Sequence, residues 1–378
     1  MHILIAPNAF KNALSASDAS ECIREGLTKS KLKFISTVFP VADGGDGTGA
    51  LLIEKAHASL INAIVRNPLG RKISASFGLT DDGTAIIELA GTCGLRLMKP
   101  NELNPMHAST WGAGELIKMA LDKKANRILL CIGGSCTTDA GTGILQTLGI
   151  RFLDRNGHEL LGMPESLLQL ETIDSSQLDM RMSETELILL CDVQNTLLGA
   201  KGAAFVFGPQ KGAGKNDVEK LEACLARLRD VALHDTGKDM AALKHGGAAG
   251  GVAAGLAVFL NARLVNGTDY FLDYTHFDKA LQNADLVITG EGSIDEQTLQ
   301  GKAPFGVALR AKEKGIPVIG LAGKVPLVPD SKLQKYFDIL LAINNEPLEI
   351  ETALKNTSDN LIRTASALGG LLALKLEI

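Results

Sequence analysis

Side chains that stack on nucleic-acid bases are scarce in this sequence. Its 378 residues include one Trp and three Tyr, and the formal net charge is -5 with a pI near 5.9. Proteins that bind nucleic acids combine a positive field with aromatic platforms for the bases. The composition therefore argues against nucleic-acid binding, and we expect no nucleic-acid partner.

Cysteine is present six times, but no pair forms a C-x-x-C motif and none has a histidine at zinc-site spacing. Cys131 and Cys191 lie inside apolar runs, where a free cysteine behaves as a small hydrophobic residue. This usage is typical of a reducing compartment. No stretch reaches the roughly 18 apolar residues of a membrane span, and the sequence MHILIAPNAF begins a strand without a basic signal segment. We expect a cytoplasmic protein with no membrane partner.

Two familiar catalytic patterns are also missing. No G-x-S-x-G nucleophile elbow occurs in the sequence. The glycine pair at 133–134 fits neither the Walker A pattern nor the spacing of a dinucleotide-binding fingerprint. These absences argue against a serine hydrolase of the elbow type and leave any phosphate-binding loop without a standard signature.

What the sequence does contain is an alternation of short apolar strands and helical segments. The hydrophobic fraction is 46% and the charged fraction 21%, as in soluble globular proteins. At roughly 150 residues per domain, the length predicts two or three domains. Because polar residues concentrate where the strands end, we predict an α/β protein whose functional side chains lie at one edge of each sheet.

The most informative stretch covers residues 285–307. Residues 285–289 form an apolar run that predicts a buried strand ending at Gly290, followed by a loop with Glu291 and Asp295. Lys302 and Pro304 then begin a helix. The alternative is that these acids only cap the next helix. These two acids, with Ser293, Thr298 and Lys302 within the same twelve residues, favour a binding or catalytic site.

Other predicted strands end in loops of similar composition. They contribute Lys11 after the first strand, Asp43 and Asp46 among four glycines, Gly133, Gly134 and Ser135, Asp192 with Asn195, and Lys211 in a glycine-rich turn. Glycines and hydroxyls at a helix start favour an anion, although plain turn chemistry explains some of these loops equally well. Together the carboxylates, lysines and glycines suit a phosphorylated ligand with a divalent cation.

Eight segments resemble the bacterial type I glycerate kinase family and occur in the family's order. They are APNAFKNALSA at 6–16, VADGGDGT at 41–48, GAGELI at 112–117, GGSCTTDAGTGIL at 133–145, CDVQN at 191–195, VFGPQKGA at 206–213, GGAAGGVAAGL at 246–256 and DLVITGEGSIDEQTLQGKAPFGVA at 285–308. The resemblance implies an ATP-dependent kinase that uses Mg²⁺ to phosphorylate D-glycerate at the 2-hydroxyl.

The same resemblance implies two unlike α/β domains. One is Rossmann-like and discontinuous, built from both ends of the chain, and the other is inserted into it. For that arrangement we expect residues 1–66 and 285–378 in the first domain and 67–284 in the second. The NPLG turn near residue 67 and the return to simple alternation near 280 fit it. We expect the active site in the cleft between the two domains.

Several positions depart from the family's usual residues: Asn8, Asn12, Thr138, Gln194 and Ser293. Where the family has arginine, Ser293 cannot supply a bidentate donor for carboxylate or phosphate. These departures leave two alternatives open. One is a non-catalytic protein that binds a sugar acid or nucleotide, and the other is a kinase for a related hydroxy acid.

The matching positions give a set of role hypotheses. Lys11, Asp43 and Lys302 are expected around the glycerate, with Asp192 or Asp295 accepting the hydroxyl proton. Glu291 is expected near the metal ion. The loop residues Gly133, Gly134 and Ser135, together with Lys211, are expected to hold the ATP phosphates. A homodimer is left open by the sequence.

Overall fold

A computed structural model describes residues 1–328 and 331–374. The strands are β1 (His2–Ile5), β2 (Ile35–Val38), β3 (Ser59–Arg66), β4 (Lys72–Leu79), β5 (Thr84–Glu88), β6 (Arg127–Cys131), β7 (Arg151–Leu153), β8 (Thr172–Asp174), β9 (Glu186–Cys191), β10 (Arg263–Asn266), β11 (Leu286–Ser293), β12 (Val318–Lys324) and β13 (Ile339–Ala342). The helices are α1 (Ala16–Thr28), α2 (Thr48–Lys55), α3 (Ala90–Cys93), α4 (Trp111–Asp122), α5 (Thr142–Thr147), α6 (Pro164–Leu167), α7 (Ala203–Phe207), α8 (Lys215–Thr236), α9 (Val252–Leu260), α10 (Gly267–Tyr274), α11 (Phe277–Leu281), α12 (Ala303–Glu313), α13 (Ser331–Tyr336), α14 (Ile350–Lys355) and α15 (Thr357–Leu372). The predicted α/β class is confirmed.

The chain separates into two compact units. The first consists of Met1–Asp43 and Thr268–Ile378, and the second of Gly44–Gly267. These boundaries differ from the expected 66/67 and 284/285. Strand β3 forms an antiparallel pair with β4 along its whole length, so it belongs to the sheet of the second unit. A single NPLG turn between two paired strands therefore does not mark the crossing between units.

The first unit is built on a five-stranded parallel sheet in the order β13-β12-β11-β1-β2. Consecutive strands depart in opposite directions from β1 and β11, so the order reverses between these two strands. In parallel α/β sheets, ligands bind beyond the carboxyl ends of the strands at such a reversal. The loops after β1 and β11 therefore lie where a ligand is expected to bind.

Close helix packing supports this sheet. Helices α1 and α15 approach at Gly26, where a Cβ atom would lie 2.3 Å from the carbonyl oxygen of Ile362. Only glycine allows that approach. Ile23, Leu27 and Leu361 of these helices are buried in one core with Ile3 and Ile5 of β1. Helices α1 and α15 therefore share one core with strand β1.

The second unit has a six-stranded mixed sheet in the order β10-β9-β6-β5-β4-β3 and a two-stranded sheet of β7 and β8. Strands β5, β6, β9 and β10 are parallel, whereas β3 and β4 are antiparallel. Glu88, the 133–135 loop and Asp192 consequently follow or end neighbouring parallel strands at one sheet edge. Helix α8 is amphipathic, with Val218, Leu221, Leu225 and Leu228 buried.

One prediction about local structure was wrong. Strand β11 does not end at Gly290 but continues to Ser293, and Glu291 pairs with Ala322 of β12. Gly290 permits this continuation because a Cβ there would lie 2.1 Å from the Leu321 carbonyl oxygen. The glycine thus marks close strand pairing and not a strand end, and Glu291 stands on the sheet itself. A side chain on a strand is held more rigidly than one on a loop.

Candidate functional site

The loops after β1 and β2, the end of β11 and the segment that follows it contribute polar side chains that we call the first-unit cluster: Asn8, Lys11, Asp43, Glu291, Asp295 and Lys302. Asn8 links its parts. Its backbone N-H donates to Gly290 O at 2.8 Å, and its side-chain amide donates to Asp43 Oδ2 at 2.9 Å. The amide oxygen accepts from Ala9 N at 2.8 Å. Asn8 therefore joins β1 to β11 and orients the Asp43 carboxylate.

Glu291 is the most buried acid of the first-unit cluster, with 7% of its surface exposed. Its Oε1 accepts from Thr298 Oγ1 at 2.9 Å and lies 3.8 Å from Lys302 Nζ. Burial raises the pKa of Glu291 to about 7, and the charges of Asp43 and Asp295 act in the same direction against Lys302 and Thr298. Asp43 and Asp295 are thus close enough to Glu291 for their charges to shift its pKa.

Asp295 and Lys302 are fixed by the turn that follows β11. Asp295 N donates to Thr298 Oγ1 at 3.2 Å, and Ser293 Oγ donates to Asp295 Oδ2 at 3.3 Å. Lys302 caps α12, and its backbone N-H donates to Thr298 O at 3.2 Å. The structure therefore brings Asp43, Asp295 and Lys302 together around Glu291.

Lys11 is exposed on the neighbouring loop. A Cβ on Gly292 would lie 3.7 Å from the Lys11 backbone nitrogen, so the loops after β1 and β11 run side by side. An exposed lysine beside the loop that carries the buried Glu291 can reach an incoming anion without first breaking a buried ion pair. Lys11 is thus placed to receive a ligand from solvent.

In the second unit, Lys211 and Ser135, both expected to hold ATP phosphates, are in contact. Lys211 is only 2% exposed, and its Nζ donates to Thr137 O at 2.5 Å and to Ser135 Oγ at 3.3 Å. Burial lowers the pKa of the Lys211 ammonium to about 8. The charge therefore lies behind the Ser135 hydroxyl and not at the surface of the loop.

The glycine pair at 133–134 serves contacts within the protein. Gly133 N donates to Gly44 O at 3.2 Å, and Leu95 N donates to Gly134 O at 3.0 Å. A Cβ on Gly133 would lie 2.4 Å from Gly45 Cα. These glycines thus allow two backbone segments to touch, which is a sufficient reason for their presence in the sequence.

The anion expected at the helix start after this loop is a side chain of the protein. Asp139 is fully buried and accepts four hydrogen bonds, from Thr110 N, Thr110 Oγ1, Gly141 N and Gly143 N, at 2.8 to 3.3 Å. Burial raises the pKa of Asp139. The N-terminus of α5 is therefore occupied, and the hypothesis that this helix start takes an external anion is corrected.

Asp192 follows β9 in the second unit and is half-buried. Its neighbour Asn195 supports the loop through Nδ2, which donates to Lys201 O at 2.8 Å, and through its carbonyl, which accepts from Gly247 N at 2.9 Å. Asn195 is thus a structural residue. The other predicted catalytic residues, Lys11, Asp43, Asp295 and Lys302, belong to the first unit.

Sequence reasoning missed one arrangement in the 44–49 loop. Glu88 Oε1 accepts from Gly47 N at 2.8 Å, and Oε2 accepts from Gly49 N at 3.1 Å. Burial and a hydrogen bond with Asp46 raise the pKa of Glu88 to about 7, and Asp46 pairs with Arg96 at 2.5 Å. Glu88 ends a strand before a glycine-rich turn, a position that could have identified it.

The side chains of residues 1–328 and 331–374 include no group of three or more His, Cys, Asp or Glu that could hold a metal ion. Across the same residues, no helix has the length and apolar character needed to span a membrane.

Comparison with known proteins gives the class. The chain is 41% identical over 366 residues to a glycerate kinase of Bacillus subtilis, covering 97% of this chain and 96% of the relative. It is 38% identical over 384 residues to glycerate 2-kinase of Escherichia coli, covering 99% and 98%. A crystal structure of a candidate glycerate kinase 2 from Salmonella typhimurium LT2 superposes with a TM-score of 0.81 at 39% identity, covering 98% of each chain. The chain is thus a kinase.

A family model described as "Glycerate kinase family" matches residues 3–373. The chain belongs to this family. The resemblance inferred from the eight sequence segments is therefore confirmed, and so is the enzyme class that it implied.

Proposed function

We propose that this protein transfers the γ-phosphoryl group of ATP to the 2-hydroxyl of D-glycerate and releases 2-phosphoglycerate and ADP. Similarity over nearly the whole chain to proteins named glycerate kinase supports the substrate, and the relative named glycerate 2-kinase supports the position. The structural observation that carries the proposal is the first-unit cluster, in which lysines and acids meet beyond the reversal of a parallel sheet.

Glycerate is a small carboxylate with two hydroxyls, and the first-unit cluster offers partners for each. Lys11 and Lys302 can bind its carboxylate, and Asp43, held by Asn8, can accept a hydrogen bond from a hydroxyl. The reacting hydroxyl oxygen attacks the γ-phosphorus, the bond to the bridging oxygen of ADP breaks, and the hydroxyl proton passes to a carboxylate. We assign that base to Asp295, which lies in the same cluster, with Asp192 as the alternative.

For the nucleotide, we assign Ser135, Gly133, Gly134 and Lys211 to the phosphates. The Ser135 hydroxyl is the group through which the buried Lys211 charge would act, because Lys211 Nζ donates to it at 3.3 Å. If Ser135 turned its hydroxyl from Lys211 to a phosphate, Lys211 Nζ would still donate to Thr137 O. The backbone of Gly133 is engaged with Gly44, so we assign it a supporting role.

Mg²⁺ is the cation that this chemistry requires. It commonly binds through one or two carboxylates together with substrate phosphates, so a cage of three protein acids is not needed. Glu291 supplies the hard oxygen donor that Mg²⁺ prefers, and its electrostatic interaction with Asp43 and Asp295 favours a cation there. Bound Mg²⁺ would neutralise charge on the transferred phosphoryl group.

A location in the cytoplasm is part of the proposal. Its support is that all six cysteines are free and buried, which suits a reducing compartment. The expectation that one active site draws on residues of both units stays a prediction. Kinetics of paired variants, Asp43→Asn with Ser135→Ala, test it, because residues that act on one transition state give non-additive effects.

The deciding experiment is an ADP-release assay with the purified protein, ATP, Mg²⁺ and D-glycerate. We expect glycerate-dependent turnover, and phosphorus NMR of the product should show the phosphate on the 2-position. L-glycerate and a panel of other hydroxy acids serve as matched controls. Tight binding of glycerate without ADP release would instead support the non-catalytic alternative, and faster turnover of another hydroxy acid would replace the substrate.

A further inference from the structure

We propose that Thr298 is a positioning residue that holds Glu291 and Asp295 in their working arrangement. The inference rests on the proposed function, because it concerns how that site is organised. Thr298 has no exposed surface and belongs to a short 3-10 turn between β11 and α12. Its hydroxyl lies between the two acids, each of which it contacts directly.

A threonine hydroxyl has one proton and two lone pairs, so its bonds can be assigned one by one. A lone pair accepts from Asp295 N at 3.2 Å. The proton is directed to Glu291 Oε1 at 2.9 Å, since the other acceptor, Ser293 O, lies farther away at 3.5 Å. One hydroxyl therefore sets both the Glu291 side chain and the backbone that carries Asp295.

The backbone of Thr298 extends the same control to Lys302. Thr298 N donates to Asp295 O at 3.0 Å, and Lys302 N donates to Thr298 O at 3.2 Å. Lys302 Nζ then approaches Glu291 Oε1 at 3.8 Å, the same oxygen that Thr298 contacts. Because both contacts are made to Oε1, we assign ligand binding by this carboxylate to Oε2.

Two substitutions separate the hydroxyl from the shape of the side chain. Thr298→Val keeps the volume and removes the hydroxyl, whereas Thr298→Ser keeps the hydroxyl and removes a methyl group. We expect Thr298→Val to lower kcat roughly 10- to 100-fold, as small misplacements of reacting groups do, with little change in the KM for ATP. Thr298→Ser should restore most of that kcat.

Thr289→Val is the matched control. Thr289 is also fully buried on β11, and its Oγ1 donates to Ala6 O at 2.7 Å, so the substitution removes an equally buried hydroxyl. It should lower the melting temperature by a similar amount and leave kcat unchanged. A loss of kcat in both valine variants would overturn the inference, because it would assign the effect to stability.

A double-mutant cycle with Glu291→Ala tests whether Thr298 acts through that acid. We expect Thr298→Val to lower kcat by a clearly smaller factor in the Glu291→Ala background, since only the contact with Asp295 N is then left to lose. Additive effects would overturn the inference. Hydrogen exchange of the peptide 291–302 is a readout independent of turnover, and Thr298→Val should speed exchange of the Asp295 amide whereas Thr298→Ser should not.

These readouts also separate this inference from the proposed function. If the parent protein does not turn over D-glycerate, the proposed function falls, and hydrogen exchange alone then decides whether Thr298 holds the turn. If the parent turns over glycerate and Thr298→Val matches it in kcat, the proposed function stands and the role of Thr298 is refuted.

Discussion

The Asn8 amide and the Asp43 carboxylate are joined by a hydrogen bond of 2.9 Å, which ties the loop after β1 to the loop after β2. Asn8 is 8% exposed, and its other two bonds are to the backbone of Ala9 and Gly290. One amide thus fixes an acid that the proposed reaction places against the substrate. A substitution at Asn8 therefore changes the orientation of Asp43 and leaves the Asp43 side chain itself intact.

We predict that Asn8→Ala lowers kcat/KM for D-glycerate by roughly 10- to 100-fold, because Asp43 loses the donor that orients it. Steady-state kinetics with glycerate and ATP varied in turn check this. The factor by which kcat/KM for glycerate falls should exceed the factor by which the KM for ATP changes. Asn62→Ala, at an exposed position of β3 in the second unit, is the control. A parent-like kcat/KM in Asn8→Ala would remove Asn8 from the site.

Gly133→Ala and Gly91→Ala make a second matched pair. A Cβ on Gly133 would lie 2.4 Å from the Gly45 backbone, whereas a Cβ on Gly91 would meet nothing within 4 Å. Gly133→Ala must therefore separate the two backbone segments, and we expect it to lower the melting temperature and weaken ATP binding. Calorimetric titration with ATP checks the second effect. Equal behaviour of the two variants would show that the contact is dispensable.

We predict that Asp139→Ala destabilises the protein by roughly 3 to 5 kcal/mol, because it leaves several buried donors without an acceptor. The affected donors are Thr110 N, Gly141 N and Gly143 N. Urea unfolding measures the loss. Asp122 is an exposed acid at the end of α4 and pairs with Arg181. Asp122→Ala should change the free energy of unfolding by less than about 1 kcal/mol. Similar losses in both variants would contradict the role assigned to Asp139.

The sequence was sufficient to predict the fold class, the strand-end positions of the polar loops and the family. Composition and apolar runs are local properties, and each run that became a strand carried its own signal. The unit boundaries could not be predicted, because they depend on the pairing of β3 with β4 across the NPLG turn. Pairing between strands is decided by contacts that a local pattern does not contain.

For the candidate site, residue type and position in the loops were enough to select Asp43, Glu291 and Lys302, which the structure brings together, and their roles stay predictions. The meaning of the glycines was harder to predict. We interpreted Gly133 as part of a ligand-binding loop and Gly290 as the end of a strand. Each glycine instead permits a close backbone contact within the protein. Thr298 and Asp139 were missed because buried hydroxyl and carboxyl groups gain their roles only from three-dimensional partners. The periodicity of a sequence does not predict which distant residues become such partners.

The burial of Lys211 gives a pH-dependent prediction. The pKa of Lys211 is lowered to about 8 in the folded state, whereas an unfolded lysine binds its proton up to about pH 10.4. Between these values the unfolded state binds more protons, so this lysine makes folding more favourable as pH rises. The free energy of unfolding of the parent should therefore increase relative to Lys211→Met from pH 8 to 10, by at most about 1.4 kcal/mol per pH unit.

Urea unfolding of both proteins at pH 7, 8, 9 and 10 measures that difference, and the other titrating groups cancel in the comparison. Below pH 8 the lysine is charged in both states, so the difference between the two proteins should be level there. Lys215→Met, at an exposed position that begins α8, serves as the matched lysine control. A difference between parent and Lys211→Met that falls as pH rises would mean that the buried ammonium is stabilised by its surroundings, and the desolvated position assigned to Lys211 behind Ser135 would be wrong.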